Sequence, residues 1–243
     1  PVGKRIYLCC PPADSAVLAH LRCIPAANIA DVMAHGQTMP PAFAWSADPF
    51  ASYGLARRDC QKLAGDNPLI HAASDLCGCG DVLVVSQDGD SVHALMGEIM
   101  LGYLSSRGAE GIVVDGPVRD MGTVRGWKLP IYCTGATPGG PYKEATGEIN
   151  VPIFCGGVVV CPGDIIVADA DGVIVVPLSD AAAVADAAEI LRRQDAEKAS
   201  AALAGTVDRA WNDRLIVQKG IEKLGCMWNG ELPSAQGQIA LWQ

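Results

Sequence analysis

Nowhere does the chain carry the roughly 18 consecutive apolar residues that mark a membrane-crossing helix. Its opening, PVGKRIYLCC, lacks the basic region, long apolar stretch and small-residue cleavage site of a secretory leader. These absences predict a soluble, cytoplasmic protein with no membrane partner. Basic residues are also in short supply, 18 Lys and Arg against 27 Asp and Glu, for a net charge of -9. A surface of that balance is poorly suited to displacing counterions from phosphates, which argues against nucleic acid as a partner. Hydrophobic residues make up 50% of the 243, ample for the buried core of one large domain.

Sequence signatures of several enzyme classes are missing too. The ten cysteines stand at 9, 10, 23, 60, 77, 79, 133, 155, 161 and 226 without a C-x-x-C pair, so no zinc knuckle is spelled out. Cys155 in VPIFCGG and Cys161 in VVVCPGD sit inside apolar runs, where a thiol behaves as a small hydrophobe, and buried free thiols are expected. Cys77 and Cys79 in DLCGCGD are separated by one glycine, a poor geometry for a local disulfide. The histidines, 20, 35, 71 and 93, form no H-x-x-H or H-E-x-x-H and read as structural residues. No G-x-S-x-G, no P-loop and no G-x-G-x-x-G after a strand occurs, which argues against hydrolase, P-loop and dinucleotide classes. Lysines are scarce in strand contexts, so a Schiff-base aldolase lacks an obvious nucleophile.

What is present is alternation of helices and strands. Residues 12–36 show helical spacing, with a helix starting in IPAANIADVM, and residues 37–58 read as a Pro- and aromatic-containing loop. A helix PLIHAASDL leads through Gly78 and Gly80 into the strand DVLVVS. VHALM reads as a short strand, GEIMLGYLSSRG as a helix closed by Gly108, and GIVVDG as a strand buried on both faces. LPIYCTG is followed by the loop ATPGGPYKEATGEINVP and then by GGVVV, DIIVAD and GVIVVP, separated by the turns PGD and DADG. Ser179 is expected to cap an Ala-rich helix running to about Gly205. The prediction is a single α/β domain, 1–243, with a mixed central sheet and a C-terminal extension over 206–243.

Three constellations could carry chemistry. In DGPVRDMGT, Arg119 and Asp120 follow a buried strand, in the loop region where α/β sheets place ligands. Arg119 offers a charged fork for a carboxylate and Asp120 an oxygen ligand for a hard divalent cation. Spacing alone favours an exposed pair that merely caps the next segment. Gly97, Glu98, Ile99 and Met100 open a helix, whose free N–H groups can hold an anion such as a substrate carboxylate; an ordinary strand-to-helix turn is the alternative. Arg192, Asp195 and Glu197 crowd the outer end of the late helix, where solvated charge competes with a carboxylate completing a metal site across a subunit interface.

The ordered succession DNPLIHAA, GDVLVV, GEIM, RGAEGIVVDGPVRD, LPIYCTGATPGGPYKEATGEINVPI, GGVVVCPGDIIVADADGVIVVP resembles the RraA-like family. Within it, PYKEATGEINVP is similar to the branch of 4-hydroxy-4-methyl-2-oxoglutarate / 4-carboxy-4-hydroxy-2-oxoadipate aldolases, and the likeness runs from about Ile24 to Gly205. The resemblance implies an α/β/β/α sandwich and a class II pyruvate aldolase using Mg2+ or Mn2+, assembled as a homotrimer or homohexamer with active sites between subunits. It implies that Arg119 binds the carboxylate and keto oxygens of a 2-oxo acid and that Asp120 holds the metal. Gly97 to Met100 would line the carboxylate site, and Asp195 or Glu197 of a neighbouring subunit would reach the metal through water. Oxaloacetate decarboxylation would share the site. One position departs from the pattern: Thr123 stands where the family commonly carries Glu or Asp. Two other readings follow the family. Its regulatory branch inhibits ribonuclease E without catalysis but lacks the metal aspartate, and a related lyase or hydrolase would act on another 2-oxo acid. A methyltransferase label given to some relatives finds no S-adenosylmethionine glycine loop here.

Overall fold

The computed structural model describes residues 3–40, the backbone of 52–61, and residues 65–144, 147–222 and 224. The chain falls into two compact units, Pro1–Gln194 and Asp195–Gln243.

The first unit is organised around three apolar runs that become parallel neighbours: β3 (Asp81–Ser86), β4 (Gly111–Val118) and β5 (Ile131–Ala136). A fourth strand, β2 (Ser52–Gln61), lies parallel to β3 and starts the order β2-β3-β4-β5. Strands paired in parallel need a crossover, which helices supply. Helix α3 (Pro68–Leu76) joins β2 to β3, and α4 (Glu98–Ser106) joins β3 to β4. Pro68 fits the first turn of α3, where its missing N–H would have had no partner. Gly108, at φ +84, takes the left-handed conformation that ends α4.

Alternation along the strands divides the core into layers. Leu83, Val85, Ile112 and Val114 pack with Ile70 of α3 and Leu101 and Leu104 of α4. The intervening Val82, Val84 and Val113 face the other way, onto Ile166 and Ala168 of β9 (Ile165–Asp169) and Val173 and Val175 of β10 (Gly172–Val176). The outer faces of that antiparallel pair, Ile165, Val167, Ile174 and Val176, are covered by Leu21 of α1 (Ser15–Leu21), Ile29 of α2 (Ala26–Val32) and the start of α6 (Ala181–Leu203). Because β9 also pairs antiparallel with β2, these strands form one continuous sheet, and the layers run helices, strands, strands and helices, the order of the α/β/β/α sandwich. A two-stranded hairpin, β7 (Ile153–Cys155) and β8 (Val158–Val160), packs Ile153, Cys155, Val158 and Val160 into the inner core.

Several local expectations change. VHALM forms no strand: Ala94, Leu95 and Met96 are buried in irregular backbone. Its polar groups bond outside a ladder, with Ala94 N–H donating to the Gly139 carbonyl at 2.9 Å and Arg119 N–H to that of Met96 at 3.0 Å. Of the loop expected over 37–58, residues 52–58 belong to β2, while 41–51 lie outside the described residues. Within ATPGGPYKEATGEINVP, β6 (Gly147–Ile149) forms a short strand because the N-terminal β1 (Lys4–Ile6) pairs with it in parallel and β2 antiparallel. Buried Glu148 of β6 is ion-paired to Arg5 of β1, and that bond holds the carboxylate below its ordinary range. Helix α6 begins at Ala181, so Asp180 rather than Ser179 immediately precedes it, and the Ser179 hydroxyl donates to the Asp180 carboxylate. Cys77, Cys133 and Cys155 are buried as expected, but Cys161 is only half-buried at the turn after β8, and Cys9, Cys23 and Cys79 are exposed, since they lie in loops or at a helix end. Cys226 lies outside the described residues.

The second unit contains the C-terminal part of α6 and α7 (Ala210–Gln218), separated by Gly205 at φ +69. No residue of α7 is buried. Of the extension expected over 206–243, residues 223 and 225–243 lie outside the described residues.

Candidate active site

Two chain reversals meet beside the C-terminal ends of β3 and β4. After β3, the buried segment Ala94–Met96 runs into Gly97, and α4 starts at Glu98. After β4, Arg119 and Asp120 lead into the short helix α5 (Met121–Val124). The Arg119 N–H bond to Met96 joins the two turns, and the Glu98 N–H donates to Asp120 Oδ2 at 3.0 Å. The first free N–H group of α4 is thus aimed at a carboxylate, as the partial positive charge of a helix start favours.

Gly97 is required by space. Its φ of -145 is open to any residue, but a Cβ there would lie 2.3 Å from Asp120 Oδ2 and 2.8 Å from Arg119 Cγ. The glycine of a strand-to-helix turn therefore lets two charged side chains approach the backbone. Asp120 itself has φ 61 and ψ 29, left-handed backbone. Aspartate tolerates this region better than most residues, yet such geometry costs about 1–3 kcal/mol and collects at functional sites. Arg119 Nε stands 3.5 Å from Asp120 Oδ2, and the two side chains keep 43% and 37% of their surface open. Neither is consumed by a close ion pair, so both can engage a ligand.

The predicted residues Gly97, Ile99, Met100 and Arg119 line one cleft of about 390 Å³. Arg119 and Asp120 line an adjoining depression of about 370 Å³ with Thr137 and Pro138. Glu98 contributes its N–H to Asp120 rather than a side chain to the cleft wall. Thr123, exposed, donates its backbone N–H to the Asp120 carbonyl at 3.0 Å, and its position supplies no acid. Asp195 and Glu197 belong to the second unit, where Asp195 pairs with Lys198 at 2.9 Å. Among the described residues no three His, Cys, Asp or Glu side chains gather to hold a metal ion.

The cleft also contains residues that motif spacing did not single out: Asn67, His71 and Lys143. Asn67 is buried at the head of α3, with Nδ2 donating to the Leu95 carbonyl at 2.7 Å and approaching Met100 Sδ at 3.5 Å. Its Oδ1 is thereby left to accept from Lys143 Nζ. His71 Nε2 lies 3.4 Å from the same Nζ. Burial first, and the neighbouring ammonium second, lower the pKa of His71, favouring the neutral ring. Asn67 and His71 stand in DNPLIHAA and Lys143 in PYKEATGEINVP, stretches whose spacing carries no signature of a chemical group.

Arg119, Asp120 and the start of α4 are thus brought to two adjoining clefts beyond the strand ends. The chain belongs to the RraA-like family: the family model described as Aldolase/RraA matches residues 26–175. A protein of Halalkalibacterium halodurans is 43% identical over 120 residues, 49% of this chain and 57% of its own length. One of Thermus thermophilus is 32% identical over 150 residues, 62% of this chain and 90% of its own. Both carry the name "Putative 4-hydroxy-4-methyl-2-oxoglutarate aldolase". The crystal structure of Streptomyces coelicolor RraAS2, described as "an unusual member of the RNase ES inhibitor RraA protein family", superposes with a TM-score of 0.68 at 30% identity, covering 76% of this chain and 96% of that one. No helix among the described residues is long and apolar enough to cross a membrane.

Proposed function

We propose that the chain is a divalent-metal-dependent lyase that cleaves a 4-hydroxy-4-carboxy-2-oxo acid, such as 4-hydroxy-4-methyl-2-oxoglutarate or 4-carboxy-4-hydroxy-2-oxoadipate, to pyruvate and a second 2-oxo acid. The observation that carries this reading is Asp120: left-handed backbone, one oxygen anchored by the Glu98 N–H, and a glycine opposite that leaves it room. Names of relatives at 43% and 32% identity support a lyase.

The donor set fits an ion such as Mg2+ or Mn2+, because a hard cation is commonly held by one or two carboxylates with water and substrate oxygens completing its shell. Asp120 would hold it, and Asp195 or Glu197 of a neighbouring copy would reach it through water in a homotrimer or homohexamer. The bound ion would supply Lewis acidity toward the 2-oxo and carboxylate oxygens.

In this reading Arg119 binds the substrate carboxylate and keto oxygen with its guanidinium fork, and the N–H groups at the start of α4 orient the carboxylate. Water in the open cleft takes the proton of the C4 hydroxyl, the C3–C4 bond breaks, and C4 becomes the carbonyl of the departing 2-oxo acid. The bonding pair moves into the C2–C3 enolate, whose developing charge Arg119 stabilises. Return of a proton from that water to C3 then gives pyruvate. Loss of CO2 from oxaloacetate generates the same enolate, so decarboxylation belongs to the same site.

Purified protein with Mg2+ should release pyruvate from these substrates or from oxaloacetate in a lactate-dehydrogenase-coupled assay, and chelator should stop it. No pyruvate from any of them sinks the proposal. Ribonuclease E inhibition is the second reading, favoured by the RraAS2 likeness; inhibition of ribonuclease E by a chain without lyase activity would establish it instead.

A further inference from the structure

The cleft holds a second fixed cation besides Arg119. Lys143 is bonded to the Oδ1 of buried Asn67 and approached by His71 Nε2 at 3.4 Å, both neutral acceptors on α3 or at its head. The Leu95 carbonyl at 2.7 Å takes the Asn67 Nδ2 and so determines which end of the amide faces the lysine. Among the described residues Lys143 has no carboxylate within ion-pair distance. An ammonium positioned by an amide and an imidazole keeps its whole charge for a ligand, whereas one positioned by an acid would already be compensated. The loop that carries it also passes Arg119: a Cβ on Gly140, three residues before Lys143, would stand 3.7 Å from Arg119 Nη1. One cleft therefore presents a guanidinium and an ammonium on a wall that includes the apolar Leu95, Met96 and Ile99.

We infer that Lys143, positioned by Asn67 and His71, is the specificity-determining residue that recognises a second carboxylate, so that the cleft selects 2-oxo dicarboxylates over 2-oxo monocarboxylates. This rests on the 2-oxo acid reading and adds to it the residue that reads the far end of the substrate. Asn67 and His71 are positioning residues in this arrangement. Their task is to keep the ammonium extended into the cleft without neutralising it.

Equilibrium binding separates this inference from the reading beneath it. Calorimetric titrations with 2-oxoglutarate and with 2-oxobutyrate, each with Mg2+, compare a dicarboxylate and a monocarboxylate that share the 2-oxo acid group. The wild-type chain should prefer 2-oxoglutarate. Lys143→Gln should weaken 2-oxoglutarate by about tenfold or more, the range of a hydrogen bond to a charged group, and leave 2-oxobutyrate within about twofold, inside the scatter of a surface substitution. Lys143→Arg should restore the preference, which a merely structural lysine would not require. Equal loss for both ligands, or no loss for either, overturns the inference while the 2-oxo acid reading stands. Failure of the wild-type chain to bind either ligand overturns both. Borohydride trapping of a pyruvate adduct on Lys143 also overturns it, because the lysine would then be a nucleophile.

Discussion

At the residue scale, Gly97 and Asp120 make the sharpest demands. A methyl at 97 cannot be accommodated while Asp120 Oδ2 stands 2.3 Å from its place. Gly97→Ala should cost about 1–3 kcal/mol in stability, as overpacking does, and should displace the Asp120 carboxylate, so that activity falls more than denaturant midpoint alone explains. Asp120→Asn keeps both the tolerance for left-handed backbone and an acceptor for the Glu98 N–H. It should therefore melt near the wild-type temperature yet lose pyruvate release by about a hundredfold or more, since even groups supporting a metal ligand are worth about 10–100-fold. Arg119→Ala should lower kcat by about 10²–10³, the effect of removing a preorganised charge stabiliser. Arg119 and Asp120 were legible in the sequence because strand-end position and family motifs converged on them. The role of Gly97 was legible only as backbone freedom, since the atoms that crowd it come from residues 119 and 120, brought alongside by the turn after another strand. Lys143 was obscured for a related reason: its partners stand 72 and 76 residues away along the chain.

At the element scale, β3, β4 and β5 and the helices α3 and α4 could be read directly, because continuous apolar runs bounded by glycine and helical periodicity are local signals, whereas most of β2 fell within an expected loop. Elements whose existence depends on a distant partner could not. β1 and β6 are three residues each and form because they pair with one another. VHALM has a strand's composition, but its carbonyl and amide groups go to Asn67, Gly139 and Arg119. The β1 attachment has an acid-sensitive tie. Arg5 lowers the pKa of Glu148 below its ordinary 4.5, so the stabilisation is fully present above that pH and is lost as pH falls through the depressed folded-state value. Hydrogen exchange, corrected for intrinsic rates, should show the Tyr7 amide, bonded to the Ile149 carbonyl at 3.1 Å, losing protection in acid before the amides of β3 and β4. Arg5→Gln should produce the same local loss at neutral pH. Equal protection in wild type and variant at neutral pH would show that the ion pair does not hold β1 in place.

At the scale of the whole molecule, the layered core follows from alternation in the strands and was expected from family likeness, whereas assembly depends on surfaces that a single chain leaves open. Phe154 and Val159, opposite one another on the β7–β8 hairpin, are 61% and 53% exposed, and Leu203 at the end of α6 is 93% exposed. Light scattering of the purified chain should give three or six times the monomer mass of 25.3 kDa; a monomer would remove the shared site from the proposed mechanism. The centre of the sheet carries a further consequence, for synthesis. One edge of β2 pairs with β3, while its other edge is divided between β9 and β6. Ser52 pairs with Ala168. At about 5–20 residues per second, a ribosome must work on the order of ten seconds after making β2 before β9 exists. During that interval β2 has an unsatisfied edge, and the nascent chain passes through a stage at which strand pairing with a second nascent chain competes with its own.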